Sequence, residues 1–274
     1  MKILVLGSGG RADCRQCTAG VADAIDAKPS SSRLPGAIAV SGAEQRWLLI
    51  NAAPEIARHA EVERAARHGG IAGVVLLDAQ PEHAASLAEL SRHAPLNLYA
   101  TPAVFEHLTC RLPMLGLPEG GGAVRWHLLP VAGDVRSAEF RVEGIESLRF
   151  VAVDDGGWPA PWSPFAAEAV VGDSISLLVE DRRAGQRLVY SPAAGGGARP
   201  WMEGADCLLV AAAGCRHVPA QTPPVLGLAD TGARRTVLVH LDDCDPRLHE
   251  GSEARRAIDA AGIEVAFDGM EIEL

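Results

Sequence analysis

The sequence predicts an α/β fold of four layers, with two β-sheets packed face to face and helices on their outer sides. Two observations predict it. Short apolar, strand-like runs come first in succession and then alternate with helical patterns, and this order occurs twice along the chain. The size and composition also fit one large core: 274 residues, 48% hydrophobic and 22% charged, which is ordinary globular material for a single domain spanning 1–274.

The elements follow from local pattern. Runs rich in Val, Ile and Leu, bounded by Gly, Pro or Asp, mark strands at 2–7 (KILVLG), 36–42, 46–52, 73–78 and 97–101 in the first half. In the second half they fall at 148–153, 174–181, 186–192, 206–212, 236–242 and 264–269. Helical periodicity appears at 54–67, 83–93, 101–111 and 252–262. The tracts KPSSSRLPG (28–36) and DDGGWPAPWSPF (154–165) read as long loops. The second carries Trp158 and Trp162, which are costly to leave in water and place that loop beside a binding site. GSGGR (7–11) lacks the spacing of either common phosphate-binding loop and is read as a tight turn. AAGGGARP (193–200) is read as a turn with no ligand to offer.

A formal charge of -10 argues against nucleic acid or an anionic membrane as partner, since both demand a basic face. No segment reaches the roughly 18 apolar residues of a membrane span, and the short N-terminal run is too strand-like for a signal peptide, so a cytoplasmic location is expected. Small molecules or other proteins fit better. Six cysteines at 14, 17, 110, 207, 215 and 244 do not form a secreted disulfide pattern. Cys14 and Cys17 alone have ligand spacing, and C-x-x-C can wrap one edge of a structural zinc site.

The most suggestive stretch is VVLLDAQPEHAASLAEL (74–90), where a buried strand runs through Asp78, Gln80, Glu82 and His83 into a helix. Turns of this kind lie at the carboxyl edge of the sheet, where open α/β sheets build ligand sites. A plain alternative is that Glu82 complements the helix dipole and His83 covers the first turn.

Several stretches together resemble the PqqB family, the pyrroloquinoline quinone (PQQ) biosynthesis proteins B of the metallo-β-lactamase fold superfamily. They are MKILVLGSGG with DCRQC behind it, GAIAVSGAEQRWLLINAAPEI, VVLLDAQPEHAASLAELSR, LNLYATPAVFEHL, VLVHLDDCDPRL and EVAFDGMEIEL. The resemblance implies a metallo-β-lactamase-like αβ/βα sandwich with a metal site at the sheet edge. Asp78-Ala-Gln80-Pro-Glu82-His83 stands where the superfamily carries an H-x-H-x-D-H ligand run, with Gln80 a neutral amide in place of an ionised ligand. His240 matches the late-strand histidine, beside Asp242 and Asp245. The metal set implied is Asp78, Glu82, His83 and His240, holding iron or zinc, with Glu82, His83 and His240 catalytic. The family's His/Met/Gly-rich segment is missing, since 215–230 offers only His217, and VAAAGC replaces the aspartate after 206–210. One metal or none is therefore expected, not two.

Two imidazoles and a carboxylate with open positions suit a ferrous, oxygen-activating centre or a zinc hydrolase. The resemblance favours oxygenation of a tyrosine-derived precursor in PQQ assembly, possible partners being other PQQ-pathway proteins. A metal-poor carrier of PQQ or its precursor is the alternative. The family pattern has a further cysteine at the position of Ala12, so a zinc held by Cys14 and Cys17 needs ligands from Cys110, Cys244 or a histidine. If it is held, alkylation of both thiols is slow until a chelator is added, and replacing both by serine lowers thermal stability. Fast alkylation without chelator, with no loss of stability, would mark the pair as a remnant.

Overall fold

The computed structural model describes residues 1–10, 33–92, 95–111, 124–157, 168–192, 198–211, 224–242 and 245–274. Two seven-stranded mixed sheets form the body. In the first sheet lie β1 (Lys2–Gly7), β2 (Ala37–Ser41), β3 (Trp47–Ile50), β4 (Ile71–Val75), β5 (Leu96–Ala100) and β6 (Val124–Leu128), with the C-terminal β14 (Glu271–Glu273). Their order is β14-β1-β2-β3-β4-β5-β6. The second sheet contains β7 (Ser137–Phe140), β8 (Leu148–Asp154), β9 (Ile175–Asp181), β10 (Arg187–Ser191), β11 (Cys207–Ala211), β12 (Thr236–Val239) and β13 (Ile263–Val265). Its order is β13-β12-β11-β10-β9-β8-β7. The halves mirror one another: each has an antiparallel run (β1-β2-β3, β7-β8-β9-β10) leading into parallel strands.

Strand alternation builds three apolar layers. Ile3, Val5, Ile38, Val40, Val75 and Leu77 of the first sheet meet Phe150, Leu177, Val179 and Tyr190 of the second in the central core. The opposite faces, Leu4, Leu6, Val74 and Leu76, pack under α1 (Ala60–Arg67), α2 (Pro81–Ala84), α3 (Leu87–Leu90) and α4 (Pro102–Glu106). Val189, Leu208, Val210 and Leu238 pack under α5 (Glu253–Ala260) through Ile258. Cys207 belongs to the core, where burial pushes its thiol up to about 12 and leaves it a neutral apolar group. Among the described residues no helix is long and apolar enough to cross a membrane.

Several boundaries differ from expectation for physical reasons. The helix expected over 54–67 begins only at Ala60, because Glu55 adopts a left-handed φ of 66° and His59 is extended around a single 3-10 turn. The helix over 83–93 breaks into α2 and α3 around Ser86, whose hydroxyl bonds the Ala53 carbonyl. β6, β7 and β14 were not anticipated; each is a sheet edge with at most one fully buried residue, so its sequence (VRWHL, SAEF, EIE) carries little apolar signal. The strand expected over 264–269 stops at Val265, and Asp268 takes a different part. Its Oδ1 accepts from the Ser8 N–H and hydroxyl at 2.8 and 2.7 Å, and its Oδ2 from the Leu34 N–H at 2.8 Å. The C-terminal DGMEI stretch thereby ties the turn after β1 to the approach to β2.

Asp268→Ala leaves two backbone donors and a hydroxyl without their carboxylate. It is expected to cost about 2–4 kcal/mol, read as a lower midpoint in urea at unchanged slope. A midpoint equal to wild type would refute the tie.

Candidate functional site

The two sheets are stitched at one edge. There Ile175 N–H donates to the Leu77 carbonyl at 2.9 Å, Asp78 pairs with Ser174, and Gly9 pairs with Leu241. Gly10 N–H donates to the Leu241 carbonyl at 2.8 Å. The strand expected to run to Asp78 ends at Val75 because Leu77 and Asp78 cross to the second sheet. The late strand likewise ends at Val239, as His240 turns to a φ of 55°.

This seam brings Asp78, His83 and His240 together. His83 and His240 stand edge to face with ring centroids 5.4 Å apart. His83 Nδ1 bonds Asp78 Oδ1 at 2.6 Å, and the same oxygen accepts from Gln80 N–H at 2.9 Å. Burial works to raise the Asp78 carboxyl, but the charge and hydrogen bond of His83, with the Gln80 N–H, bring it below the usual carboxylate range. The carboxylate accepts, so His83 carries its proton on Nδ1. Burial drives His240 down to about 3, with His83 adding to the fall and Asp78 opposing it. Its ring is neutral.

Backbone geometry sets these side chains. Asn51, at the end of β3 with a φ of 65°, accepts the Leu77 N–H on Oδ1, and the Ala52 N–H donates to the His83 carbonyl at 2.6 Å. Among the described residues Asn51 Nδ2 is buried without a partner, a donor suited to a ligand oxygen. Gly36 lies against the His240 ring: a Cβ there would sit 2.2–2.5 Å from Cε1, Nε2 and Nδ1. A Cβ at Gly10 would come within 2.3 Å of Asp242 Oδ1. The GSGG stretch is thus a turn that leaves room for the His240–Asp242 segment.

Sequence reasoning missed three participants. Tyr190, fully buried, hydrogen-bonds His240 Nε2 through its hydroxyl, which burial keeps protonated. Asp155, at the end of the β8 run, accepts from Gly157 N–H at 3.0 Å and from the Ser176 hydroxyl at 3.2 Å, and Ser176 bonds Ser191 at 2.8 Å. Asn51 is the third. An inward-facing tyrosine in an apolar strand is the one available signal, because its hydroxyl needs a partner.

Asp245 and Glu82 are also described. Asp245 is committed to Arg247, accepting from its Nε at 2.8 Å and its backbone N–H at 2.9 Å, so it caps a turn and does not serve the site. Glu82 is half-buried in the first turn of α2. Cys14, Cys17, Cys244, His217, Trp158 and Trp162 lie outside the described residues.

The donor set fits one ion in part. Two imidazoles separated by 5.4 Å are within reach of a shared ion at about 2 Å per nitrogen, and a carboxylate behind the first is the usual support of a ligating histidine. A closed cage is not assembled: among the described residues no group of three or more His, Cys, Asp or Glu side chains could hold a metal.

Fold and seam place the chain in a known class. The model of the beta-lactamase superfamily domain matches residues 46–241. The coenzyme PQQ synthesis protein B of Nitrosococcus oceani is 35% identical, with 89% of each chain covered. That of Klebsiella pneumoniae is 31% identical over 100% of this chain and 98% of its own. The crystal structure of Zn2+-bound PqqB from Methylobacterium extorquens superposes with a TM-score of 0.78 at 24% identity, covering both chains fully. The chain belongs to the coenzyme PQQ synthesis protein B family, with the metallo-β-lactamase fold.

Asp155 gives a measurable consequence. Burial raises its carboxyl from 3.8 to about 6, against the Gly157 and serine hydrogen bonds. The folded state therefore holds this proton more tightly than the unfolded chain. Its contribution to stability is complete below about 3.8 and is lost as pH rises through about 6. Asp155→Asn is expected to raise Tm by a few degrees at about pH 8, with the gain vanishing near pH 4. A gain that is equal at both pH values would rule out a buried, protonatable Asp155.

Proposed function

We propose that this protein acts in PQQ biosynthesis, in the cytoplasm, as a metal-dependent oxygenase that hydroxylates a tyrosine-derived precursor. One observation carries the reading: two imidazoles meet at the sheet seam, each with one ring nitrogen held by a protein group, His83 by Asp78 and His240 by Tyr190. Family membership supports the pathway, and the Zn2+ in the Methylobacterium extorquens structure supports a metal. His83 and His240 would hold a single iron or zinc ion, with a carboxylate from Asp78 or Glu82 completing the set. Such an ion, when bound, supplies oxygen activation if it is iron and an activated water if it is zinc.

The chain's own residues do the rest. Asp78 fixes the orientation of His83, and Asn51 Nδ2 offers a hydrogen bond to an oxygen of the ligand. The apolar walls at the base of the seam, Leu77 and Ile175, exclude water from below. A metal-poor carrier is the second reading, favoured by the incomplete donor set among the described residues.

The test is turnover of a tyrosine-containing precursor peptide with ferrous iron, oxygen and a reductant. Wild type is expected to yield a product heavier by one oxygen atom, and His83→Ala and His240→Ala to yield none. Tight binding of PQQ or the peptide, with no metal uptake and no oxygenated product, would overturn the oxygenase in favour of the carrier.

A further inference from the structure

One buried pair near the seam has a use beyond packing. His107 and Asp173 are 5% and 2% exposed, and His107 Nε2 bonds Asp173 Oδ1 at 3.0 Å. Taking such a pair out of water is costly, and an apolar contact of the same size would hold α4 equally well, so what the pair adds is a fixed orientation. The helix also widens here into a π turn over His107–Arg111, a rare departure found most often beside functional sites.

The segment that Asp173 belongs to is held by α4 twice. Thr101, the N-cap of α4, takes the Val104 N–H on Oγ1 at 3.2 Å and donates the same hydroxyl to the Gly172 carbonyl at 2.6 Å. Only glycine fits at 172: its φ is 91°, and a Cβ would stand 2.4 Å from the Val131 carbonyl oxygen. Asp173 Oδ2 accepts from the Val170 N–H at 2.8 Å, closing the turn that leads in. Next in the chain comes Ser174, the backbone partner of Asp78, and then Ile175, whose N–H bonds the Leu77 carbonyl. Asp78 in turn holds His83 Nδ1. A continuous path of hydrogen bonds and covalent neighbours therefore runs from α4 to the imidazole of His83.

We propose that His107 is a positioning residue for His83: by fixing Asp173 against α4 it sets the register at which Ser174 meets Asp78, and so the direction from which the carboxylate meets the imidazole. Without His107 the turn stays closed through Asp173 Oδ2, but its anchor to α4 is reduced to Thr101. The segment then shifts without unfolding.

The consequence for turnover rests on the proposed role of His83 in the oxygenase; the positioning itself does not. Proton NMR of the full-length protein freed of metal by a chelator reads it directly, because an Nδ1–H held by a carboxylate at 2.6 Å gives a far-downfield signal, assigned by its loss in His83→Ala. His107→Ala is expected to move that signal upfield or lose it to exchange with water. His107→Gln, whose amide N–H replaces Nε2–H as donor to Asp173, is expected to restore it. A folded His107→Ala protein with the signal unchanged, or a loss that His107→Gln does not repair, would overturn the positioning role. If neither variant folds, the wild-type tautomer decides: His107 must carry a proton on Nε2 to donate to Asp173, and an unprotonated Nε2 contradicts the bond. Wild type that hydroxylates no precursor, yet shows the signal, its loss in His107→Ala and its return in His107→Gln, would sink the oxygenase and leave the positioning role standing.

Discussion

The cross-sheet seam is the constraint on which the rest of the molecule depends. Two sheets stacked through an apolar core are free to slide until something pins their edges. Here backbone bonds do so at two places, Leu77–Ile175 with Asp78–Ser174, and Gly9–Gly10 with Leu241. Each pin lies just past the end of a strand; Asp78 is part of one pin, and His240 stands immediately before Leu241 of the other. The chemistry-bearing side chains are therefore presented by the same bonds that fix the stacking of the sheets. Asp268 reinforces one pin from the C-terminus by holding Ser8 and Leu34.

Around that seam the polar groups are arranged in pairs. Asp78 with His83, Tyr190 with His240 and Asp155 with Ser176 each bring a buried group and its partner from different parts of the chain or across a turn. Buried polar atoms are costly unless paired, so each pair also fixes orientation. His107 with Asp173 repeats the device nearby: the ring bonds the carboxylate at 3.0 Å and ties α4 to the segment entering β9. These pairs explain why a site with few candidate metal donors is nevertheless rigidly built.

Central strands were legible because residues buried on both faces read as continuous Val/Ile/Leu runs, as in β1, β4 and β12. Edge strands were not, since Arg125, Glu139 and Glu271 stand on solvent-facing positions where charge is free to appear. Asp78, His83 and His240 were visible as polar residues breaking apolar runs and through resemblance to a family pattern. Tyr190 and Asn51 were hidden for the opposite reason: each ends an apolar run and reads as core. Asp155 was lost in a glycine-rich loop. Asp245 looked like a neighbour of His240, but its chemistry is spent on Arg247 two residues on, a local bond that spacing alone does not reveal.

The central claim is that the seam gathers His83 and His240 into one centre. Anomalous diffraction from crystals of the intact protein exposed to Zn2+ tests it most directly. The expected map has one ion bound by His83 and His240. An ion found only at Cys14 and Cys17, or imidazoles still 5.4 Å apart with no ion between them at saturating Zn2+, would contradict it.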